Sequence, residues 1–189
     1  MMEKRYEEYA YVLDFLPHGR PGIRPSGRAG YRAGALVQLV GEEFFTLLEA
    51  LVKEGVVLRP HDRVYVGKEA REEITYIIGR IGYDELTGAA RMELPVVISK
   101  MVLNREKSFV DFFNTAHAIT PRMHALELIP GIGKKYMWQV LNERERKPFE
   151  SFEDLQKRTE IPNPVKLITK RILEELAGES KYRLFTRAR

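Results

Sequence analysis

The stretch LIPGIGKK, residues 128–135, places a proline and two glycines between apolar residues and puts two lysines where a helix is expected to begin. The N-terminus of a helix carries roughly half a positive charge, so Lys134 and Lys135 are unfavourable there unless a negative group lies against them. That end also presents free backbone N–H groups, and Gly131 and Gly133 would let a phosphate approach them closely. The stretch therefore predicts a tight turn whose following helix binds phosphate at its start. The simpler interpretation is a glycine that ends one helix, followed by solvated lysines.

The composition favours a protein with two small domains. The 189 residues, of which 44% are hydrophobic, suffice for one large or two small cores, and we favour two. The charged start, MMEKRYEEY, and the lack of any apolar run of about 18 residues predict a cytoplasmic protein without a membrane-spanning segment. The absence of cysteine excludes disulfides and thiolate metal sites. A charged fraction of 31%, with more arginine than lysine and little asparagine or glutamine, is typical of thermophiles.

Positive charge is concentrated in the C-terminal third of the chain. The net charge is only +4, yet residues 122–189 carry 15 basic and 10 acidic groups, whereas residues 1–121 carry 16 and 17. A basic segment of this kind attracts anionic partners. We therefore expect the C-terminal third to contact an anionic molecule.

Five segments of the N-terminal part have the residue types of β-strands. They are rich in aromatic and aliphatic residues, and turns containing glycine, proline or aspartate separate most of them. The third segment also fits a helix. Several short strands linked by turns predict a small β-barrel, with a five-stranded OB-type barrel as the leading model. The segments are YAYVLDFL (9–16), ALVQLV (35–40), EFFTLLEALV (43–52), RVYVG (63–67) and ITYIIGRIGY (74–83).

The chain becomes helical in character from Asp84 onward. Pro95 is expected to interrupt or restart the first of these helices, because proline lacks the N–H group that a helix interior uses. Thr120 and Pro121 are typical of a cap and a first helical turn, and they predict a short helix through Leu128.

Further helices follow the glycine turn. One is expected from about Lys134 to Arg146, and Ser151 with Asp154 gives a capping box that begins the next. The last is marked by an apolar stripe of Val165, Ile168, Ile172 and Leu176. These elements predict two helix-hairpin-helix units in tandem. The predicted fold class is α+β: an OB-like β-barrel with appended helices (1–119), an all-α tandem helix-hairpin-helix domain (120–178) and a basic tail (179–189).

A loop rich in glycine, proline and arginine joins the first two predicted strands and is a second candidate site. Its arginines recur every four residues in a stretch that cannot be a helix, and no acidic residue lies between Asp14 and Glu42. In OB-type barrels this loop commonly contacts single-stranded nucleic acid, with an aromatic ring stacked on a base and arginines on phosphates or bases. The alternative is a solubilising loop, or one held by acids elsewhere in the fold. The candidate residues are Arg20, Arg24, Arg28, Tyr31 and Arg32.

The segment ELIPGIGKKYMWQVL resembles the helix-hairpin-helix motif of DNA-repair and recombination proteins. In that motif a glycine hairpin binds the backbone of a nucleic acid without reading its sequence. The resemblance extends from Thr120 to Leu176 and includes a degenerate second copy, in which residues 162–164 (PNP) stand in place of glycines. It implies that only the first hairpin binds phosphate. The residues implied are Gly131, Ile132, Gly133, Lys134 and Lys135.

Segments along the whole chain carry a wider resemblance: EEYAYVLDFLPHGRP, GEEFFTLLEA, YDELTGAARMELP, LELIPGIGKKYMWQVL and KPFESFEDL. Together they resemble an uncharacterised, mainly archaeal family of predicted RNA-binding proteins, the DUF655 family. The resemblance implies an OB-like N-terminal part and a helix-hairpin-helix C-terminal part, and it implies no established reaction. Genes of that family often lie near genes for a ribosomal protein, an RNA polymerase subunit and a ribosomal-RNA dimethyltransferase. This favours RNA as the ligand, with ribosomal or transcription components as further partners.

These observations predict a non-enzymatic protein that binds the phosphate backbone of a nucleic acid through the glycine hairpin and the arginine loop. RNA is favoured over DNA by the resemblance alone, because both share the backbone contacts. The alternative is an assembly module that docks another protein of the translation or transcription machinery, since a basic patch also fits an acidic protein. A nuclease or glycosylase fits less well, because no cysteine and no metal-binding triad is visible. No catalytic residue, metal, cofactor, small-molecule substrate or membrane contact is predicted.

Overall fold

The structure is a computed structural model that describes residues 6–20, 34–178 and 180–188. The chain forms two compact units, one of Met1–Val97 together with Phe185–Arg189, and one of Ile98–Leu184. The last residues of the chain therefore group with its N-terminal half. This division by compactness does not test the domain boundaries that the sequence predicts.

The first unit is built on a curled, five-stranded antiparallel sheet that forms half of a barrel. The strands lie in the order β4-β1-β2-β3-β5, so β4 and β5 are the two edges of the sheet. Each predicted strand segment overlaps one observed strand, which confirms all five, including the segment that also fitted a helix. The strands are β1 (Tyr9–Leu16), β2 (Leu36–Gly41), β3 (Leu47–Val52), β4 (Arg63–Tyr65) and β5 (Ile74–Arg80).

The third strand begins later than the sequence pattern predicts, because a buried carboxylate organises the turn before it. Glu7 is only 6% exposed, and its side chain accepts hydrogen bonds from the N–H groups of Glu43 (2.9 Å), Phe44 (2.9 Å) and Thr46 (3.3 Å). These N–H groups are therefore satisfied by a side chain instead of a neighbouring strand. Only Leu47–Val52 continues into the sheet.

Alternating apolar side chains of the strands form the core of the first unit. Ala10 and Val12 on β1 are fully buried, as are Val37 and Leu39 on β2. Residues two apart on a strand point to the same face of the sheet, so each pair packs into one core. Burying a valine or leucine side chain stabilises a protein by about 1.5–3 kcal/mol. Packing in this core holds the backbone of the sheet, including its edge strands β4 and β5, in one conformation.

The other regular elements of the described chain are helices and one short hairpin. The predicted bounds of the helix after the glycine turn are confirmed, and so is the Ser151 cap, whose hydroxyl accepts the N–H of Asp154 (2.9 Å). Two 3₁₀ helices are found at Tyr83–Glu85 and Ala125–Leu128. The helices are α1 (Gly88–Asn104), α2 (Glu106–Thr115), α3 (Lys134–Arg146), α4 (Phe152–Arg158) and α5 (Pro164–Ala177), and the hairpin strands are β6 (Ala118–Thr120) and β7 (Met123–His124).

The predicted helix over residues 120–128 is wrong, because this segment forms the β6–β7 hairpin and a single 3₁₀ helix. The N–H of Arg122 donates to the Thr120 hydroxyl (3.3 Å), a local bond that favours a turn over a helix start. The helical turn begins instead at His124, whose N–H donates to the Glu127 carboxylate (2.9 Å). Because His124 and Glu127 cap the helical turn, it contains only Ala125–Leu128.

Pro95 lies inside α1 and does not end it, contrary to the predicted interruption. Proline removes one backbone hydrogen bond from a helix interior and crowds the preceding turn. Leu94 and Val97, on either side of it, are 0% and 2% exposed. Burial of these side chains offsets the missing hydrogen bond, so packing keeps the helix continuous.

Candidate nucleic-acid interface

The glycine turn is anchored by apolar residues and lies on the surface of the second unit. Ile129 and Ile132 are 0% and 3% exposed, and the N–H of Ile132 donates to the Ile129 carbonyl (3.0 Å), which closes the turn. Gly131 has a φ of 89°, in the left-handed region that strains any residue with a side chain. Gly131 and Gly133 are both exposed. The isoleucines therefore hold the turn in the core while the glycines remain accessible.

The start of α3 presents backbone N–H groups at this surface. Gly133 is the N-cap residue and has no side chain that could accept a hydrogen bond from the first turn. The first N–H groups of any α-helix have no partner within the helix. In the part of the chain that the structure describes, we find no acceptor for the N–H of Lys134 or Lys135. These groups are available to an anion.

Both lysines of the turn are paired with glutamates. The Nζ of Lys134 lies 2.9 Å from Glu127 Oε1, and the Nζ of Lys135 lies 2.5 Å from Glu160 Oε2. Hydrogen bonds from the two ammonium groups lower the pKa of the Glu127 and Glu160 carboxyls below their ordinary values, so both are ionised at neutral pH. The negative charge that lies against the lysines thus comes from the protein itself.

The lysine side of both ion pairs is exposed to solvent. The side chains of Lys134 and Lys135 are 70% and 72% exposed. Exposed ion pairs contribute little to stability and are weakened by salt. Glu160 is 60% exposed as well, so a phosphate can replace it as the partner of Lys135. Glu127 is only 18% exposed and also accepts the N–H of His124, so its pair with Lys134 is the more firmly held of the two.

Trp138 is an exposed aromatic side chain beside the lysines, and it is absent from the site residues predicted above. It is 56% exposed, whereas Met137 and Val140 of the same helix are buried. Residues three and four apart share a helix face, so Trp138 lies on the face of Lys134 and Lys135. The helical period of the two buried residues was the signal that could have placed the indole outward. An exposed indole ring can stack on an unpaired base.

Of the candidate residues in the arginine loop, the structure describes only Arg20. Its guanidinium donates to Glu49 Oε2 through Nε (3.0 Å) and Nη2 (2.5 Å), and Gln38 donates to the same oxygen (3.1 Å). Glu49 is 7% exposed, and a buried carboxylate needs such partners. Arg20 is therefore held by an acid elsewhere in the fold, as one interpretation of the loop expects. The others, Arg24, Arg28, Tyr31 and Arg32, lie outside the described residues.

The second predicted hairpin starts its helix differently. Asn163 is the N-cap residue of α5, and its side chain accepts the N–H of Lys166 (3.2 Å). Pro164, the first residue of the helix, has no N–H group to offer. The chain itself thus satisfies part of this helix start, which agrees with a packing role. That role stays a prediction.

The described ranges hold neither a metal cluster nor a membrane-spanning helix. Within residues 6–20, 34–178 and 180–188, the histidines and acidic residues form no group of three or more that could hold a metal ion. Nor do those ranges contain a helix with the length and apolar character needed to cross a membrane. The predictions of no catalytic residue and no cofactor stay predictions.

The sheet unit and the helical unit with its exposed glycine turn define a two-unit α+β protein with a candidate phosphate-binding helix start. The chain belongs to the family described as Protein of unknown function (DUF655), whose model matches residues 6–187. This confirms the family that the sequence resembles.

Two relatives from archaea match almost the whole chain. "Uncharacterized protein MJ0038" of Methanocaldococcus jannaschii is 42% identical over 186 residues, which cover 97% of this chain and 82% of the relative. The crystal structure of Af1531 from Archaeoglobus fulgidus is similar with a TM-score of 0.87 and 48% identity, covering 96% of this chain and 100% of that one. The fold described above is therefore shared with a solved structure.

Proposed function

We propose that the protein is a non-enzymatic nucleic-acid-binding protein that holds the sugar–phosphate backbone at the glycine turn (residues 129–133) and the start of α3. The observation that carries the proposal is the exposure of Gly131 and Gly133 above two buried isoleucines. A turn that is buried, or whose helix start is already capped by a side chain, would leave no room for phosphate. In this proposal the turn and α3 act as a helix-hairpin-helix motif, and the sheet unit is OB-like.

The proposed contact uses three kinds of group. A phosphate accepts hydrogen bonds from the free N–H groups at the start of α3, where the helix dipole favours negative charge. Lys134 and Lys135 exchange their glutamates for the flanking phosphates. Each phosphate that a lysine neutralises releases counterions, so binding weakens as the salt concentration rises.

RNA with unpaired bases is the favoured ligand. Trp138 lies on the lysine face of α3 and is exposed enough to stack on a base next to a bound phosphate. A base inside a duplex is not accessible to such a ring. The resemblance to a family of predicted RNA-binding proteins also favours RNA, while DNA shares the backbone contacts.

Charge reversal at the turn tests this proposal. We expect the double variant Lys134→Glu, Lys135→Glu to bind a fluorescent single-stranded RNA at least about tenfold more weakly, measured by anisotropy at low salt. The matched control is Lys147→Glu with Lys157→Glu, because these lysines are also exposed and paired with glutamates within the same unit. Equal affinity of the two double variants, with both folded, would contradict the proposal.

A second variant separates binding from stability. Gly133→Asp supplies the capping carboxylate that α3 lacks, so the melting temperature should stay the same or rise. The same carboxylate occupies the free N–H groups and repels phosphate, so RNA affinity should fall. Loss of affinity in a protein of unchanged or greater stability cannot be attributed to unfolding. Undiminished affinity would show that the helix start does not hold phosphate.

A protein-assembly module is the second candidate, and the ion pairs of the turn favour it. Because Glu127 and Glu160 already neutralise the two lysines, the surface around Trp138 is less positive than the sequence predicts. An exposed tryptophan is a common anchor at protein interfaces. A partner that stays bound to the tagged protein after nuclease treatment, and that Trp138→Ala releases, would support this function instead.

A further inference from the structure

The sheet unit contains a cavity of about 700 Å³ at its open side. Val66 and Lys68, which directly follow β4, line it together with Ile77 and Arg80 of β5. Because β4 and β5 are the two edges of the curled sheet, the cavity occupies the gap that strand pairing would fill in a closed barrel. Its volume is within the range of small-molecule and cofactor sites, about 300–1,000 Å³.

The walls of this cavity are strongly basic. Lys68, Arg71, Arg80 and Arg187 line it, and the one acidic residue in its lining is Glu7 among the described residues. The carboxylate of Glu7 already accepts hydrogen bonds from three backbone N–H groups, and its single negative charge is outnumbered by the four cations. The cavity therefore has a surplus of positive charge that its own lining does not neutralise.

Three of the cations have no carboxylate partner within the described part of the chain. The Nζ of Lys68 lies 4.8 Å from the ring centre of Tyr6, and the guanidinium of Arg187 lies 3.6 Å from that of Phe44. The Nε of Arg71 donates to a backbone carbonyl (2.7 Å). Aromatic faces and a carbonyl orient these groups and leave their positive charges uncompensated by an anion.

Several other cations of this protein are paired with acids. In the same unit Arg20 is paired with Glu49, and Arg63 donates two hydrogen bonds to Glu42. Both lysines of the glycine turn are paired as well. The convergence of three cations without acidic partners distinguishes this cavity from those sites, and it favours an anionic ligand there.

We propose that this cavity binds one nucleotide of a single-stranded nucleic acid. Lys68, Arg71 and Arg187 would contact its phosphates, and the apolar floor of Leu48, Val66 and Ile77 would receive the base, with the exposed ring of Tyr6 at the rim. The inference rests on the proposed function in that both need a nucleic-acid ligand. It adds a second contact, on a different unit from the glycine turn.

The test compares variants of the cavity with a matched control in the full-length protein. The variant is Lys68→Gln with Arg187→Gln, and the control is Arg59→Gln with Arg91→Gln, two exposed arginines of the same unit that do not line the cavity. The probe is a 5′-labelled single-stranded RNA of mixed sequence, titrated at several salt concentrations and followed by anisotropy. We expect the cavity variant to bind at least about tenfold more weakly. The plot of log K against the logarithm of the salt concentration has a negative slope, and its magnitude should decrease by about 0.7 for each phosphate that the variant no longer neutralises.

Tyr6→Ala tests the contact with the base. Removal of a stacking ring weakens binding by about 5- to 150-fold for one base, and Tyr6→Phe should restore it because the ring is kept. Circular dichroism and melting curves of all variants show whether each is folded. Wild-type affinity and salt slope in a folded Lys68→Gln, Arg187→Gln variant would overturn the inference.

The result separates this inference from the proposed function. If charge reversal at Lys134 and Lys135 weakens binding while the cavity variants do not, the glycine turn binds nucleic acid and the cavity does not. If only the cavity variants weaken binding, the cavity is the site and the turn is not. A poly-glutamate peptide that displaces the RNA from the wild-type protein at equal charge concentration, and that the Lys68→Gln, Arg187→Gln variant no longer binds, would assign the cavity to acidic proteins and overturn the inference.

Discussion

At the scale of single residues, the glycine turn depends on one backbone conformation. Gly131 has a φ of 89°, and a Cβ placed there would lie 2.9 Å from Leu167 Cδ2. Gly133 has an ordinary φ of −92°, and a Cβ there would meet nothing within 4 Å. The two glycines look equivalent in the sequence, but only the first is required by the backbone.

This difference gives the first prediction. Gly131→Ala should lower the free energy of unfolding by about 1–2 kcal/mol, because alanine is strained in the left-handed region. Gly133→Ala is the control and should cost less, since its backbone is already extended. Urea unfolding curves of the two variants give the comparison. A loss at Gly133 as large as that at Gly131 would show that the turn is not held by the φ of Gly131.

A second prediction concerns competition at the lysines. Lys135 holds the pKa of the Glu160 carboxyl below its ordinary value, so their ion pair stabilises the folded protein at neutral pH. That stabilisation is lost as the pH falls through the lowered pKa. Glu160→Gln removes the carboxylate at neutral pH and frees Lys135. RNA affinity should then rise about two- to fivefold, as anisotropy would measure.

The control for this substitution is Glu153→Gln, which frees Lys157 of α4 in the same way. It removes one negative charge from the same unit without touching the glycine turn. An equal rise in affinity for both variants would indicate general attraction and not a contact at Lys135.

At the scale of elements, a buried ion pair fixes the helical unit around the glycine turn. Arg171 on α5 donates to the Glu175 carboxylate (2.9 Å) and to the carbonyls of Leu128 (3.2 Å) and Tyr182 (2.5 Å). Glu175 is 1% exposed and also accepts the N–H of Leu184 (3.0 Å). One guanidinium thus joins α5 to the segment just before the turn and to the segment after the helix.

We predict that Arg171→Met destabilises the protein by about 3–5 kcal/mol, because it removes one partner of an ion pair whose carboxylate, on Glu175, is buried. The control is Arg171→Met combined with Glu175→Leu, which removes both charges and should recover part of the stability. Chemical denaturation followed by circular dichroism measures both. A single variant no less stable than the double variant would contradict this role of the pair.

Local patterns predicted most of the elements correctly. The bounds of α3 and the cap of α4 depend on residues within one or two helical turns of each other, and the sequence shows them directly. The predicted helix over residues 120–128 was wrong because two candidate helix starts compete there. The hydroxyl of Thr120 accepts the N–H of Arg122 within a turn. The helical turn begins later, where the Glu127 carboxylate accepts the N–H of His124. Whether the helix starts at Thr120 or after His124 depended on the β6–β7 hairpin. The residue pattern did not show the pairing of these two strands.

At the scale of the whole molecule, the end of the chain returns to the sheet unit. Arg80 of β5 donates to the backbone carbonyls of Arg187 (2.7 Å) and Ala188 (2.9 Å), and Thr186 is buried. Arg187 also lies against the ring of Phe44. The end of the segment that the sequence predicts as a basic tail is therefore part of the first unit.

Truncation after Leu184 tests this connection. It removes two hydrogen bonds from a charged donor and one cation–π contact, so we expect the sheet unit to be destabilised by about 1–3 kcal/mol. Hydrogen exchange of the amides in β3 and β5 should accelerate, while exchange in the middle of α5 serves as the internal control. Unchanged exchange in the sheet would show that the last residues do not stabilise it.

The candidate site was predicted in part, and the missing part was long-range. The glycine turn and its two lysines were readable because neighbouring residues in the chain define them. The acids that pair with the lysines and the ion pair of Arg20 with Glu49 could not be read from neighbouring residues. These features join residues that only folding brings together, and no local pattern specifies their partners.

The amino-acid pattern alone was enough to predict the five strands, the helix after the glycine turn and the family, because periodicity, caps and turn residues act over a few neighbouring positions. Which charged side chains lack an ion-pair partner was decided only by the folded structure. Folding neutralised the lysines that the sequence singled out, and it brought Lys68, Arg71 and Arg187 together at the open side of the sheet. Electrostatic pairing depends on distance in space, and distance in space is set by packing of the whole chain.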